Sequence, residues 1–353
     1  MSDIGLPNKR DYQIDAIKGF AIILVVVGHI TAFSNNLENL QNNVVFQLIY
    51  SFHMPLFFFV SGYLVFGRFG PTTAEWIIKK FRQLIIPYIL FTIFFFYFLF
   101  GFSVNRFTIT DISQTLFSYT VPNSAWFLPV LFESFLVLAL LINAEKIAGK
   151  FSYVLFFITV ALPLPLLGIA SIPLVHQIVV YTPYVIAGYL ACAYKGSVTE
   201  KSVHYLEFFG SVLFPFLFLI KSSTFFTSIN AGLFNLYYSW LIAFAGIILS
   251  WVIVRFIMNY RISFVFIMCG IFSLEIYLTH LVILNGFFAK KWPLWYGSDG
   301  VALVSGSIAL LLLSLISAFI LSYNEKISKL MFGRWSFKYF KNYLMDSKVI
   351  VNE

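Results

Sequence analysis

The residues of this chain that could do chemistry are ionisable side chains set inside long apolar runs. The first run carries Asp15, Lys18 and His29, the second carries His53, and later runs carry Glu133, Glu275 and His280. An ionisable group at the centre of a membrane helix costs roughly 2.5–3.5 kcal/mol on insertion scales, so each is a candidate functional residue. Imidazole titrates near neutral pH, and a carboxylate can orient it and stabilise its charged form. Lys18 and His29 are eleven residues apart. At about 100° per residue they share nearly one helix face, about 16 Å apart along the axis. Asp15 precedes Lys18 by one turn and can pair with it. As an interfacial pair the two could simply snorkel, an escape His29 lacks.

The elements that position these groups follow from composition. Hydrophobic residues make up 60% of the 353, charged residues 11%, and mean hydropathy is +0.88. A soluble chain has about 25% charged residues, so a soluble globular protein is excluded. The net charge of +8 reads as positive charge on one membrane face rather than as a nucleic-acid surface. Cys192 and Cys269 lie in apolar runs with no metal-ligand or disulfide spacing, and no metal is expected. The run from Ala16 to Phe33 is longer than a signal-peptide core and reads as a retained first helix.

Ten apolar segments can be marked, at about 14–34, 44–67, 84–104, 125–143, 152–170, 176–194, 204–220, 231–254, 262–287 and 301–322. Pro163, Pro165 and Pro173 interrupt the stretch 152–194, and two helices meeting at Ile172-Pro173 fit it best. With the N-terminus inside, 18 Lys and Arg face the cytoplasm and 4 (Arg106, Lys221, Lys290 and Lys291) face outward. The expected fold is an all-α polytopic transmembrane bundle of about ten helices with both termini cytoplasmic. Residues 1–13 form a cytoplasmic N-terminus, 14–322 the transmembrane unit and 323–353 a basic cytoplasmic tail.

On this topology His29, His53, Glu133, Glu275 and His280 share the outer half of the membrane. Pro55 frees a carbonyl near His53, and Ser61-Gly62 allows close helix approach. Arg68, Lys79, Lys80, Arg82, Arg255 and Arg261 form a basic inner rim. Such a rim can be a topology signal alone, or a seat for nucleotide phosphate. Intramembrane His and Glu also suit a proton-coupled transporter or flippase, although no inverted repeat is visible.

Four stretches together carry a family resemblance. Asp15-Ala16-Ile17-Lys18-Gly19 leads through ten positions after Lys18 to His29; Ser51-Phe52-His53-Met54-Pro55-Leu56-Phe57-Phe58 follows; Trp126-Phe127-Leu128 opens a helix; Ser273 to His280 reads Ser-Leu-Glu-Ile-Tyr-Leu-Thr-His. This order resembles the membrane-bound acyltransferase 3 family over essentially the whole chain, and is most similar to its fucose 4-O-acetylase branch. The resemblance implies transfer of an acetyl group from cytosolic acetyl-CoA, with no permanently bound cofactor. The acceptor would be a hydroxyl of an envelope glycan or lipid-linked oligosaccharide, at a bacterial inner membrane and its lipid. It implies His29 as the catalytic base or acylated group, with Glu133 or Glu275 orienting it. His53, Trp126 and His280 would hold the acceptor, and Lys18, Arg68, Lys79, Lys80 and Arg82 the CoA. The segment Lys79-Lys80-Phe81-Arg82 keeps the charge of the family's basic motif but not its spacing.

Overall fold

The computed structural model describes residues 10–34, 42–66, 73–99, 124–156, 173–221, 232–288 and 300–351, and these are helices and turns with no strand. Helix α1 spans Tyr12–Ser34. The Asp11 carboxylate accepts the Gln13 and Ile14 N–H groups at 3.0 and 3.3 Å and so caps its start. Helices α2 (Val44–Tyr50) and α3 (His53–Tyr63) follow, then α4 (Ala74–Leu99), α5 (Phe127–Ala148), α6 (Phe151–Phe156) and α7 (Pro173–Ala193). Next come α8 (Glu200–Lys221), α9 (Gly232–Ile257), α10 (Ser263–Ile271), α11 (Ser273–Ile283) and α12 (Gly300–Tyr323). The chain ends in α13 (Glu325–Phe332) and α14 (Ser336–Val351). Among the described residues six spans are long and apolar enough to cross a bilayer, one of them α2 and α3 taken together, or seven if α10 and α11 also count as one span. The run 152–170 is described only to Phe156. Pro173 opens α7, where its missing N–H leaves no bond unmade.

Two segments that read as continuous helices are broken. The run 44–67 divides at Ser51-Phe52, where Phe52 has φ −148° and ψ −15°. Pro55 has no N–H to give the Ser51 carbonyl, so the ladder weakens there. Side chains repair the break: the Ser51 hydroxyl donates to the Leu48 carbonyl at 2.7 Å. The run 262–287 bends by 83° at Phe272, between α10 and α11. No proline marks this bend, and hydropathy runs through it unbroken.

Helix α1 is the centre of the bundle. It packs against α2, α3, α9, α10, α11 and α12, and none of its residues is exposed. Its closest neighbour is α10. A Cβ on Gly19 would collide with the Phe266 carbonyl, and one on Gly270 with the Asp15 carbonyl, so the two backbones touch. The same holds between α3 and α7, where Gly62 lies on the Val185 carbonyl, as the Ser61-Gly62 pair suggested.

The segment expected as a tail returns to the bundle. Asn324 caps α13 by accepting the Lys326 and Ile327 N–H groups at 2.9 and 3.3 Å. Gly333 ends it with φ 62°, a left-handed turn that lays the chain on the backbone of Arg82 and Gln83 in α4. Phe332 is fully buried, its ring 5.7 Å from Phe91. From α14, Phe337 and Phe340 pack on Phe319, while Tyr343 meets Tyr12 at 4.9 Å. The Tyr12 hydroxyl donates to Asp346. Both ends of the described chain therefore meet at one end of the bundle.

Candidate functional site

The site is built on two ends of α1. On the face that carries Lys18 and His29, Ile14, Ile22 and Val25 are buried, yet both polar residues keep accessible surface. Helix α1 is surrounded by other helices, and the partial exposure of His29 and of Lys18 falls at two levels of it, with Ile22 and Val25 buried between them on the shared face.

At the His29 level two imidazoles meet. His29 Nδ1 lies 2.7 Å from His280 Nε2, and the rings stack at 5.0 Å with a 12° interplanar angle. The tautomers follow from the neighbours. His280 Nδ1 is 2.9 Å from the Ile276 carbonyl, which can only accept, so Nδ1 carries the proton. Neutral His280 then accepts at Nε2, and His29 donates from Nδ1. This leaves a lone pair on His29 Nε2, which makes no hydrogen bond among the described residues. A fixed lone pair on an accessible imidazole is a general base or a nucleophile.

His53 stands nearby on the first turn of α3, buried, and its Nδ1–H donates to the Ile49 carbonyl at 2.7 Å. It thus bridges the α2–α3 break. The Tyr50 ring packs on His53 at 4.7 Å, and a Cβ on Gly28 would meet it at 3.0 Å. An aromatic wall continues from there. Tyr277 lies 6.0 Å from His280 and 5.6 Å from Phe127, Phe127 meets Phe58, and Phe58 stacks on Tyr181 at 4.5 Å. Trp126, in a short 3-10 turn before α5, is half-buried with its ring 5.2 Å from Tyr181.

The carboxylates do not orient His29. Its Nδ1 is taken by His280, and Glu275 belongs to the other end of the bundle. The bend at Phe272 spends α10 crossing α1, so Glu275 falls in the first turn of α11, beside the chain termini. There it is fully buried and bound by Arg334 Nη2 at 2.8 Å and by the Ser336 hydroxyl. The same Arg334 Nη2 donates to the Ile271 carbonyl at 3.2 Å. Burial works against the charge on Arg334, but Glu275 outweighs it and raises the guanidinium above its ordinary pKa. Glu133 is half-buried on α5, two turns beyond Phe127.

At the Lys18 level, Lys18 Nζ pairs with Asp15 at 2.6 Å. Arg10 completes the group, its Nη2 donating to Asp15 at 2.9 Å while its guanidinium lies 4.3 Å over Tyr339. Lys79 and Arg82 are exposed near the start of α4, whereas Lys80 is half-buried with its ammonium 4.9 Å from the Phe135 ring. Arg68 lies outside the described residues. Sequence reasoning missed Arg10, Arg334 and Ser336. The basic character of residues 323–353 was visible, but nothing in it announced a 59-residue contact with Glu275.

A family model described as an acyltransferase domain matches residues 11–323. The chain belongs to the acyltransferase 3 family. It therefore carries an acyltransferase domain, and the transporter reading falls away. Among relatives, a nodulation protein NolL of Sinorhizobium fredii is 41% identical over 83 residues, 23% of each chain. A nodulation protein NolL of Mesorhizobium japonicum is 27% identical over 146 residues, 40% of this chain and 38% of the relative. The matches thus span well under half the length of these curated relatives. No solved structure matches.

Proposed function

We propose that the protein is a multi-pass membrane O-acetyltransferase that moves an acetyl group from cytosolic acetyl-CoA to a sugar hydroxyl of a bacterial envelope glycan. The observation that carries this reading is the His29–His280 pair, which leaves His29 Nε2 as an oriented, accessible base. The meeting of both chain ends at one rim supports an even number of crossings and a common, cytoplasmic side for the termini. In this orientation Lys18, Lys79, Lys80 and Arg82 face the donor's phosphates, with Arg68 beside them in sequence, and His29 lies towards the outer face.

The acceptor hydroxyl gives its proton to His29 Nε2 as its oxygen attacks the thioester carbonyl. The new C–O bond forms, the C–S bond breaks, and the proton passes from His29 to the departing thiolate. While His29 is charged, its Nδ1–H bond to His280 becomes charge-assisted and shortens the climb to the transition state. Trp126, Tyr181 and His53 line the side from which a sugar would enter, where aromatic faces suit apolar sugar faces. Resemblance to the fucose 4-O-acetylase branch makes fucose the first acceptor to try.

The test is acetyl transfer by purified protein in bilayer discs, using acetyl-CoA and a fucose-bearing oligosaccharide, followed by mass spectrometry of the glycan. Acetylated product from wild type and none from a normally inserted His29→Ala protein is the expected result. Wild-type activity in His29→Ala protein would overturn the assignment of the base.

A further inference from the structure

The bend at Phe272 turns α11 away from α10, so His280 sits on an eleven-residue helix that runs on only into the π turn Leu284–Phe288. A short helix that meets its predecessor at an 83° bend takes its rotation from what packs on it and binds its ends. The polar contacts at its near end come from the C-terminal segment. Arg334 joins the last carbonyl of α10 (Ile271) to the first-turn carboxylate of α11 (Glu275), and Ser336 holds the second oxygen of that carboxylate. One guanidinium therefore spans the bend. The segment carrying it is anchored by Phe332 against Phe91, by Gly333 on α4 and by Tyr12–Asp346 on α1. His280 lies five residues beyond Glu275, about 7.5 Å along the axis.

We propose that Arg334, Ser336 and Glu275 are positioning residues for the His29–His280 pair: the docked C-terminal helices set the rotation of α11 and through it the tautomer of His29. The geometry is sensitive. A side chain sits about 5–6 Å from its helix axis, so a rotation of about 15° moves the imidazole by about 1.5 Å. That movement breaks a 2.7 Å bond. Displacements of about 1 Å in a reacting constellation lower rates by about a hundredfold. The C-terminal segment is thereby part of the acetyl-transfer machinery proposed above, on which this inference rests for its kinetic consequence.

Two readouts test it, both on the full chain in bilayer discs. The first needs no acyl transfer: nitrogen NMR of isotope-labelled histidine, with the His29 signal assigned from a His29→Gln protein. Wild type shows His29 protonated at Nδ1 alone, and Glu275→Gln or Ser336→Ala shows both tautomers. The second is kinetic. Each variant lowers kcat by about tenfold or more while the KM for acetyl-CoA changes by less than about twofold. In a His280→Ala background the same substitutions change kcat by less than about twofold, because the element they act through is gone. Arg334→Lys, which keeps a charge for Glu275, recovers part of the loss if Arg334→Ala protein does not fold. An unchanged His29 tautomer, or losses that multiply on top of His280→Ala, would overturn the inference. A raised donor KM with kcat intact would instead make Arg334 a donor-binding residue and also sink it. If wild type transfers no acetyl group, the proposed function fails, and the NMR readout still decides the positioning role.

Discussion

Replacing His280 by alanine isolates the contribution of the imidazole pair. In the resting state His29 donates from Nδ1 to His280 Nε2 over 2.7 Å, a bond between neutral groups. Such a bond contributes about 1 kcal/mol, and its charge-assisted counterpart about 1.5–3. Only the difference, about 0.5–2 kcal/mol, lowers the barrier when His29 takes the acceptor proton. That difference is a factor of about 2–30 in rate. A second loss comes from the tautomer: without a partner at Nδ1, part of the population holds its proton on Nε2 and cannot act as base. Together these give an expected fall in kcat of about 10–100-fold, with the KM for acetyl-CoA unchanged. His280 is fully buried, so its removal also leaves a cavity. His280→Gln fills that space and offers an amide oxygen, and it should recover part of the rate. The assay is thiol release from acetyl-CoA in bilayer discs, with melting curves run in parallel. A His280→Ala protein within about twofold of wild type, beside an inactive His29→Ala protein, would refute the orienting role.

Three further outcomes follow from the packing and the charges. Gly19→Ala presses a methyl group into the Phe266 backbone and should destabilise by about 1–3 kcal/mol or more, read as a lower melting temperature; Gly270→Ala should do the same. Unchanged melting in both would mean that the α1–α10 contact is looser than described. Lys18→Ala should weaken acetyl-CoA binding by about tenfold by calorimetry, while Lys18→Arg largely retains it; equal affinities in all three would remove Lys18 from the donor site. Phe332→Ala empties a buried site beside Phe91 and should cost about 3–5 kcal/mol, exposing α13 and α14 to protease. Resistance equal to wild type would show that other contacts hold the segment.

Apolar runs made the spanning helices legible, since lipid demands length and hydropathy and little else. Asp15, Lys18, His29, His53 and His280 stood out because polar groups are expensive in such runs. What hydropathy could not register was a break without a breaker. Phe272 is as apolar as its neighbours, and the nearest glycine, Gly270, is used for contact with Asp15 rather than for the bend. Glu275 precedes His280 by five residues on α11 with or without that break, so the expectation that it serves His29 failed on its partners: the carboxylate is taken by Arg334 and Ser336 at the Lys18 end. Its partners were hidden for a different reason: Arg334 and Ser336 sit in a polar segment whose docking depends on Phe332 and Phe337.

The exchange of a carboxylate for a second imidazole has a physical logic. A carboxylate beside His29 would be a full charge in the middle of the bundle, and a buried charge needs a cation and several hydrogen bonds to be tolerated. Glu275 receives that support at the Lys18 end, from Arg334 and Ser336. At the His29 level the hydrogen bonds of the pair join one imidazole to the other and His280 to a backbone carbonyl. A relay of His29, His280 and the Ile276 carbonyl orients the base with no net charge in the resting state. The consequence is that no carboxylate among the hydrogen-bond partners of the pair faces the imidazolium as it forms. A thioester lowers the demand on that base, since the departing thiolate is a good leaving group and takes the proton back. Placing an aspartate at position 280 is therefore a sharp test. If charge were what His29 lacks, His280→Asp would raise kcat; if burial governs, the variant inserts poorly or loses activity, and the latter is expected here.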